Sequence, residues 1–304
     1  MTNEQRLKNL AAPVAPVDVV LDTDAYNEID DQFAIAYLLL SKEKLTTKAL
    51  YAAPFFNEKS SGPEDGMEKS YDEIFKILNL VREKVPVYKG SPRYLPDEKT
   101  PVESAAAVDL ATRAKSYSLE NPLYVVAIGA ITNIASAILL EPLVAENTVV
   151  VWLGGNGLHY HDTEEFNMMQ DVAAARVVMG SGVPFVQLPC MGVVSGFATS
   201  RPELEHWLTG KNPLADYLAA NTIAEAESYA AGTAWTRVVW DVTAVAWLLN
   251  QEERFMLSRI QPVALPAYDH HYSLYPNSHL MRYVYHINRD ALFTDLFSKL
   301  TGNR

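Results

Sequence analysis

The chain has 304 residues, 49% hydrophobic and 20% charged, an ordinary balance for a globular protein whose core needs no disulfide or metal staple. A formal net charge of −12 argues against a general nucleic-acid binder, because displacing counterions from a phosphate backbone takes a basic face. A single cysteine, Cys190, excludes an intramolecular disulfide and suits a reducing compartment.

The N-terminal stretch 1–16 is polar and rich in Ala and Pro, without the apolar core of a signal peptide. No apolar run reaches the length of a membrane span, so the expectation is a cytoplasmic protein with no membrane partner. Beyond it, short β-branched runs alternate with longer stretches of helical periodicity. Residues 17–21 read as the first strand and 31–40 as the helix behind it. A second strand over 48–52 precedes a helix over 69–81, and 85–88 form a short third strand. Residues 123–128 and 148–153 are almost wholly apolar, as strands covered on both faces tend to be. An Ala-rich helix over 172–179 leads into a strand over 183–188, followed by Cys190, which reads as a small buried apolar residue. From Pro202 to about Asn250 the pattern is mostly helical. Residues 282–287 then alternate as a strand, and 290–300 as a closing amphipathic helix. The Tyr- and His-rich stretch 268–285 lacks metal-caging spacing and reads as a packed aromatic loop or subunit contact. Alternation of strands and helices predicts an α/β fold: a mainly parallel central sheet with helices on both faces. No linker, repeat or low-complexity segment divides it, so residues 1–304 read as a single domain.

The most informative segment is Asp22-Thr23-Asp24-Ala25-Tyr26-Asn27-Glu28-Ile29-Asp30-Asp31, between a buried strand and a helix start. Ligands of open α/β sheets bind outside the carboxyl ends of the strands. Asp30 and Asp31 alone have a bland explanation as N-cap and first-turn acid. Capping does not account for Asp22 and Asp24 across the turn. Clustered carboxylates repel one another unless a cation neutralises them, and an all-oxygen cluster suits a hard ion such as Ca²⁺ or Mg²⁺.

This segment resembles the N-terminal signature of the nucleoside hydrolases, written Asp-Thr-Asp-Pro-Gly-x-Asp-Asp. Here the turn is longer: Ala25 to Ile29 stand where the family pattern has Pro-Gly-x. Three later segments match in order. Ala127-Ile128-Gly129-Ala130-Ile131-Thr132-Asn133-Ile134-Ala135 resembles the Gly-x-x-Thr-Asn-x-Ala stretch; Leu153-Gly154-Gly155-Asn156 through Glu165-Phe166-Asn167 and Asp171 resembles the Gly-Gly…Glu-Phe-Asn…Asp segment. Trp240-Asp241-Val242-Thr243-Ala244-Val245-Ala246 resembles the late Asp motif at a helix start, and Gly90-Ser91-Pro92-Arg93-Tyr94-Leu95 also fits. The match runs over roughly residues 17–250.

The resemblance implies a Rossmann-like fold and calcium-dependent hydrolysis of ribonucleosides to base and ribose, with a small-molecule ribonucleoside as partner and a homo-oligomer, dimer or tetramer, as assembly. It implies that Asp24, Asp31, Asp241 and the Ile128 carbonyl hold Ca²⁺, completed by ribose hydroxyls and water to the ~6–8 oxygens calcium prefers. Asp24 would take a proton from the attacking water, Asp30 would accept from a ribose hydroxyl, and Asp22 would stand behind the ligands and orient them. Glu165 and Asn167, two apart and so on one side of an extended segment, are assigned with Asn156 to the sugar. Many pyrimidine-accepting members carry a His where this chain has Trp240, while purine-specific members use a Trp that stacks on the base, so purine nucleosides are the expected substrates. Asn57, in the loop 54–67 that would lie over the same end of the sheet, is a candidate substrate contact. His159 and His161 read as rim histidines, and Asn133, after a Thr at a helix start, as a cap. Two rivals stand beside this reading: a non-catalytic nucleoside or ribose binder on the same scaffold, and a phosphohydrolase using Asp22 of Asp22-Thr23-Asp24 as nucleophile. The phosphohydrolase reading leaves Asp30-Asp31 and Trp240-Asp241 unexplained.

Overall fold

β-Branched and apolar runs form β1 (Val17–Thr23), β2 (Leu45–Ala52), β3 (Val87–Lys89), β4 (Leu123–Ala127), β5 (Thr148–Leu153) and β6 (Phe185–Leu188). The later strands are β7 (Ala198–Thr199), β8 (Arg237–Val238), β9 (Met256–Pro262), β10 (Ala264–Pro266), β11 (Tyr272–Leu274) and β12 (Leu280–Ile287). The structure is a computed structural model describing residues 2–276 and 278–302; Met1, Asn277, Asn303 and Arg304 lie outside the described residues.

Eight strands make one sheet in the order β3-β2-β1-β4-β5-β6-β12-β9. Every pair from β3 to β12 is parallel, and β9 closes the edge antiparallel to β12. The register aligns Leu21 with Val126, Val126 with Val151 and Val151 with Val186. These residues, with Val19 and Leu153, pack into one apolar cluster, while Val20, Val125, Val150 and Trp152 point into another on the opposite face. The helices Asp30–Leu40, Pro63–Val81, Val242–Trp247 and Arg289–Thr301 supply apolar residues to the first cluster. Ala105–Arg113, Thr132–Leu140 and Val172–Gly180 supply the second. The expected mainly parallel α/β sheet, covered on both faces, is what forms. From β1 the chain runs outward to β2 and β3, then returns to β4 and runs the other way. The gap beyond the ends of β1 and β4 is therefore the switch point at which such sheets bind ligands.

Four local expectations are corrected. The helix expected over 69–81 begins at Pro63, so the loop expected over 54–67 ends at the Gly62 cap. Proline suits a first helical turn, and Gly66 is inside the helix because a Cβ there would lie 2.1 Å from the Phe55 carbonyl oxygen. The mostly helical stretch 202–250 is broken by β8, which pairs antiparallel with β7. β9 has no clear strand pattern in the sequence, because Ser258, Arg259 and Gln261 interrupt its apolar residues on a solvent-facing edge. Finally, much of 268–285 is strand: β11 pairs with β10 as a hairpin, and β12 starts at Leu280.

Candidate active site

The carboxyl end of β1 carries Thr23 and Asp24, the first turn of Asp30–Leu40 carries Asp30 and Asp31, and Asp241 stands at the start of Val242–Trp247. All four aspartates are buried, none more than 4% exposed. Neither helix start uses a carboxylate as a side-chain cap, so the capping explanation of the acids fails. Carboxylate oxygens of Asp30, Asp31 and Asp241 lie within 4.8 Å of one another. That triple contains Asp30 beside Asp31 and Asp241, while Asp24, which the resemblance implies as a ligand, lines the same cavity.

The electrostatics describe a site short of positive charge. Burial first, then repulsion by Asp31, holds Asp24 well above the usual carboxylate range. Burial and the neighbouring Asp30, Asp31 and Asp24 raise Asp241; burial and Glu28 raise Asp30. Asp31 is pushed up to about 7 by burial, opposed by the Thr23 hydroxyl that donates to its Oδ1. Asp24 Oδ2 is buried without a hydrogen-bond partner. A Cβ at position 129 would lie 2.8 Å from Asp24 Oδ1, so Gly129 is what lets this carboxylate sit against β4. Clustered buried carboxylate oxygens, one of them orphaned, in a cavity that Ile128 also lines, fit a hard divalent cation.

These groups open into a cavity of about 240 Å³. Asp24, Asp30, Asp31, Asp241 and Ile128 line it, together with Asn156, Glu165, Asn167 and Trp240. Glu165 and Asn167 do not share an extended segment, as the sequence suggested. Glu165 caps the short helix Phe166–Gln170, its carboxylate accepting from the backbone N–H of Gly155 (2.7 Å), Asn167 (2.9 Å) and Met168 (3.0 Å). Asn167 Nδ2 donates to the carbonyls of Ile128 (3.1 Å) and Leu153 (3.0 Å), tying β4 to β5 beneath the cavity. Asn156 Oδ1 is buried and unpartnered.

Asp22 and Asn57 do not line the cavity. Asp22 Oδ1 accepts from Asn133 Nδ2 at 2.7 Å, and burial pushes the acid up to about 7 against that bond. Asn57 Nδ2 donates to Asn27 Oδ1 at 2.6 Å, and it is Asn27 that reaches the cavity. His159 and His161 are exposed and are not among the lining residues, and His161 pairs with Asp162 at 2.8 Å. The sequence reading missed Asn27 and Glu28, whose signal was the extra length of the turn that holds them. It also missed Glu164 and Met191 on the rim, and Cys190, which is buried as expected but faces the cavity. No Lys, Arg or His is among the lining residues.

Residues 19–274 match the family model described as inosine-uridine preferring nucleoside hydrolase. The chain belongs to the nucleoside hydrolase family. Among curated relatives, a pyrimidine-specific ribonucleoside hydrolase, RihA, of Salmonella paratyphi A is 26% identical over 77% of this chain and 80% of its own. Of solved structures, a plant nucleoside hydrolase, the PpNRh1 enzyme, superposes with a TM-score of 0.75 at 19% identity, covering 94% of this chain and 99% of its own. A purine-preferring ribonucleoside hydrolase from Gardnerella vaginalis gives a TM-score of 0.75 at 18% identity, with 94% and 98% covered. Nucleoside hydrolases are metal-dependent N-ribosyl hydrolases, and in this one the buried aspartate cluster is the group of residues that fits the ion. Among the described residues, no helix is long and apolar enough to cross a membrane.

Proposed function

We propose that this nucleoside hydrolase cleaves the N-glycosidic bond of ribonucleosides with calcium and favours purine nucleosides. The observation that carries the reading is the convergence of four buried aspartates, three from the turn after β1 and one from residue 241, on one cavity with no basic lining residue. Such a cavity disfavours a phosphate ester and favours a substrate that gains positive charge as it reacts. Departure of the base gives the ribose oxocarbenium character, as in glycoside hydrolysis generally.

Asp24, Asp31 and Asp241, with the Ile128 carbonyl, would hold the ion, and calcium suits a site that leaves room for several further oxygens. When bound, the ion supplies Lewis acidity and a fixed anchor for the sugar hydroxyls. Asp24, with its unpartnered Oδ2, accepts the proton of the water that attacks C1′. Asp30 accepts from a ribose hydroxyl. Asn156, through its unpartnered Oδ1, and the neighbouring Glu165 and Asn167 hold the rest of the sugar. Asp22 braces β1 from behind, and Asn57 acts through Asn27. Trp240 offers its indole face to the base, and a broad π-surface favours the larger purine ring. The relatives named above include both a pyrimidine-specific and a purine-preferring enzyme, so the preference rests on Trp240 alone.

Free base and ribose released from a panel including inosine and uridine, with calcium and with excess chelator, test all three parts. The expected result is calcium-dependent release with inosine ahead. Faster uridine overturns the purine preference, release that survives chelation overturns the metal, and no release from any ribonucleoside overturns the reaction.

A further inference from the structure

The longer turn between Asp24 and Asp30 places a carboxylate, Glu28, on the cavity wall. Its side chain, 40% exposed, is anchored at one oxygen: Arg237 Nη2 donates to Oε2 at 2.6 Å. Among the described residues, no hydrogen bond to Oε1 is formed. Arg237 is itself mostly buried and also faces Glu225 at 4.0 Å. Lys59 Nζ grips Glu225 at 2.8 Å and the Asn27 carbonyl at 2.7 Å, while Asn57 holds the Asn27 side chain. The turn is thus braced from the loop after β2, from the helix Pro213–Ala230 and from β8. β8 carries Arg237 and leads within three residues to Trp240, which lines the same cavity. One ion pair, to an arginine itself mostly buried and facing Glu225, directs the partly exposed acid, while the backbone of its turn is held through Asn27.

We propose that Glu28 is a specificity-determining residue that accepts a hydrogen bond from an N–H group of the nucleobase, with Arg237 and Lys59 as positioning residues. The proposal rests on the nucleoside-hydrolase reading of this cavity, with the base on the Trp240 side. An ionised carboxylate held at Oε2 keeps Oε1 as an acceptor and offers no donor. It therefore selects bases with a ring N–H or exocyclic amino group over leaving groups that have neither. Glu28→Gln keeps the size and the bond to Arg237: the amide oxygen takes the guanidinium, and the amide nitrogen turns a donor toward the base.

The test compares kcat/KM for inosine with that for 4-nitrophenyl β-D-ribofuranoside, a riboside whose leaving group has no N–H. In the calcium-loaded wild-type and E28Q enzymes, the inosine-to-nitrophenyl ratio should fall at least tenfold in the variant, mostly through the KM of inosine, and Glu28→Asp should recover part of it. Loss through mere loosening of the turn lowers both substrates alike, so an unchanged ratio overturns the inference while leaving the hydrolase reading intact. A wild-type enzyme that cleaves neither riboside overturns both.

Discussion

Asn133 shows how one side chain ties the site to the sheet. Its Nδ2 donates to Asp22 Oδ1 at 2.7 Å and to the Ala52 carbonyl at 3.2 Å, while its Oδ1 accepts from the Ser91 N–H at 2.8 Å and hydroxyl at 3.0 Å. Every hydrogen-bonding site of this fully buried amide has a partner, and those partners lie at the ends of β1 and β2 and in the loop after β3. Asn133→Ala would strip Asp22 of the one donor opposing its burial and leave the Ser91 N–H unpaired. Orphaning buried groups costs about 1–3 kcal/mol each, so a loss of about 3 kcal/mol is expected in urea unfolding. A loss under about 1 kcal/mol would mean that water takes the amide's place. The aspartates were legible in the sequence because their density on either side of one turn has no ordinary explanation. Asn133 was not: a Thr-Asn at a helix start looks like a cap, and its partners come from residues 22, 52 and 91, which no local pattern brings together.

At the level of elements, buried strands were easy to read and solvent-facing ones were not. β5 forms over the expected residues, and β4 ends one residue short of expectation, because runs buried on both faces have no polar interruptions. The hairpin of β10 and β11 left no such trace, yet it supports the cavity from outside the sheet. Tyr272, on β11, donates its hydroxyl to the Asn156 carbonyl at 3.0 Å and accepts from Gln187 Nε2 at 3.0 Å. The hydroxyl lies so close to Gly155 that a Cβ there would meet it at 2.2 Å. The Gly155-Asn156 corner is thereby pressed between β6 and the hairpin, which fixes where Asn156 points. Tyr272→Phe keeps the ring and deletes the strut. The expected result is a KM for nucleoside raised several-fold, a smaller change in kcat and a stability loss of about 1 kcal/mol. Unchanged KM would show that the corner holds its shape without the hydroxyl.

For the whole molecule, the acidic cavity couples metal, protons and stability. In metal-free protein, Asp31 and Asp22 titrate near 7, and Asp24, Asp30 and Asp241 are also pushed upward, all chiefly by burial. An unfolded chain restores them to about 3.9. Folded protein then binds more protons than unfolded above about pH 4, so these groups favour folding below that value, and the contribution of Asp31 and Asp22 fades as pH rises through about 7. A divalent cation acts in the opposite sense, because it binds the deprotonated cluster and competes with the protons. A divalent cation bound there, at a hundredfold excess over its dissociation constant, would add about 2.7 kcal/mol to the folded state, and calcium is the ion to test. The quantity to measure is the difference in melting temperature with calcium and with chelator, which cancels the titration of every group outside the site. That difference should be small near pH 5 and grow toward pH 8. Replacing Asp241 by Asn, which removes one ligand and one of the repelling charges, should raise the chelated protein's melting temperature at pH 8 while shrinking the response to calcium. A calcium response that stays the same from pH 5 to 8 would place the ion away from these aspartates, and with it the chemistry assigned to them.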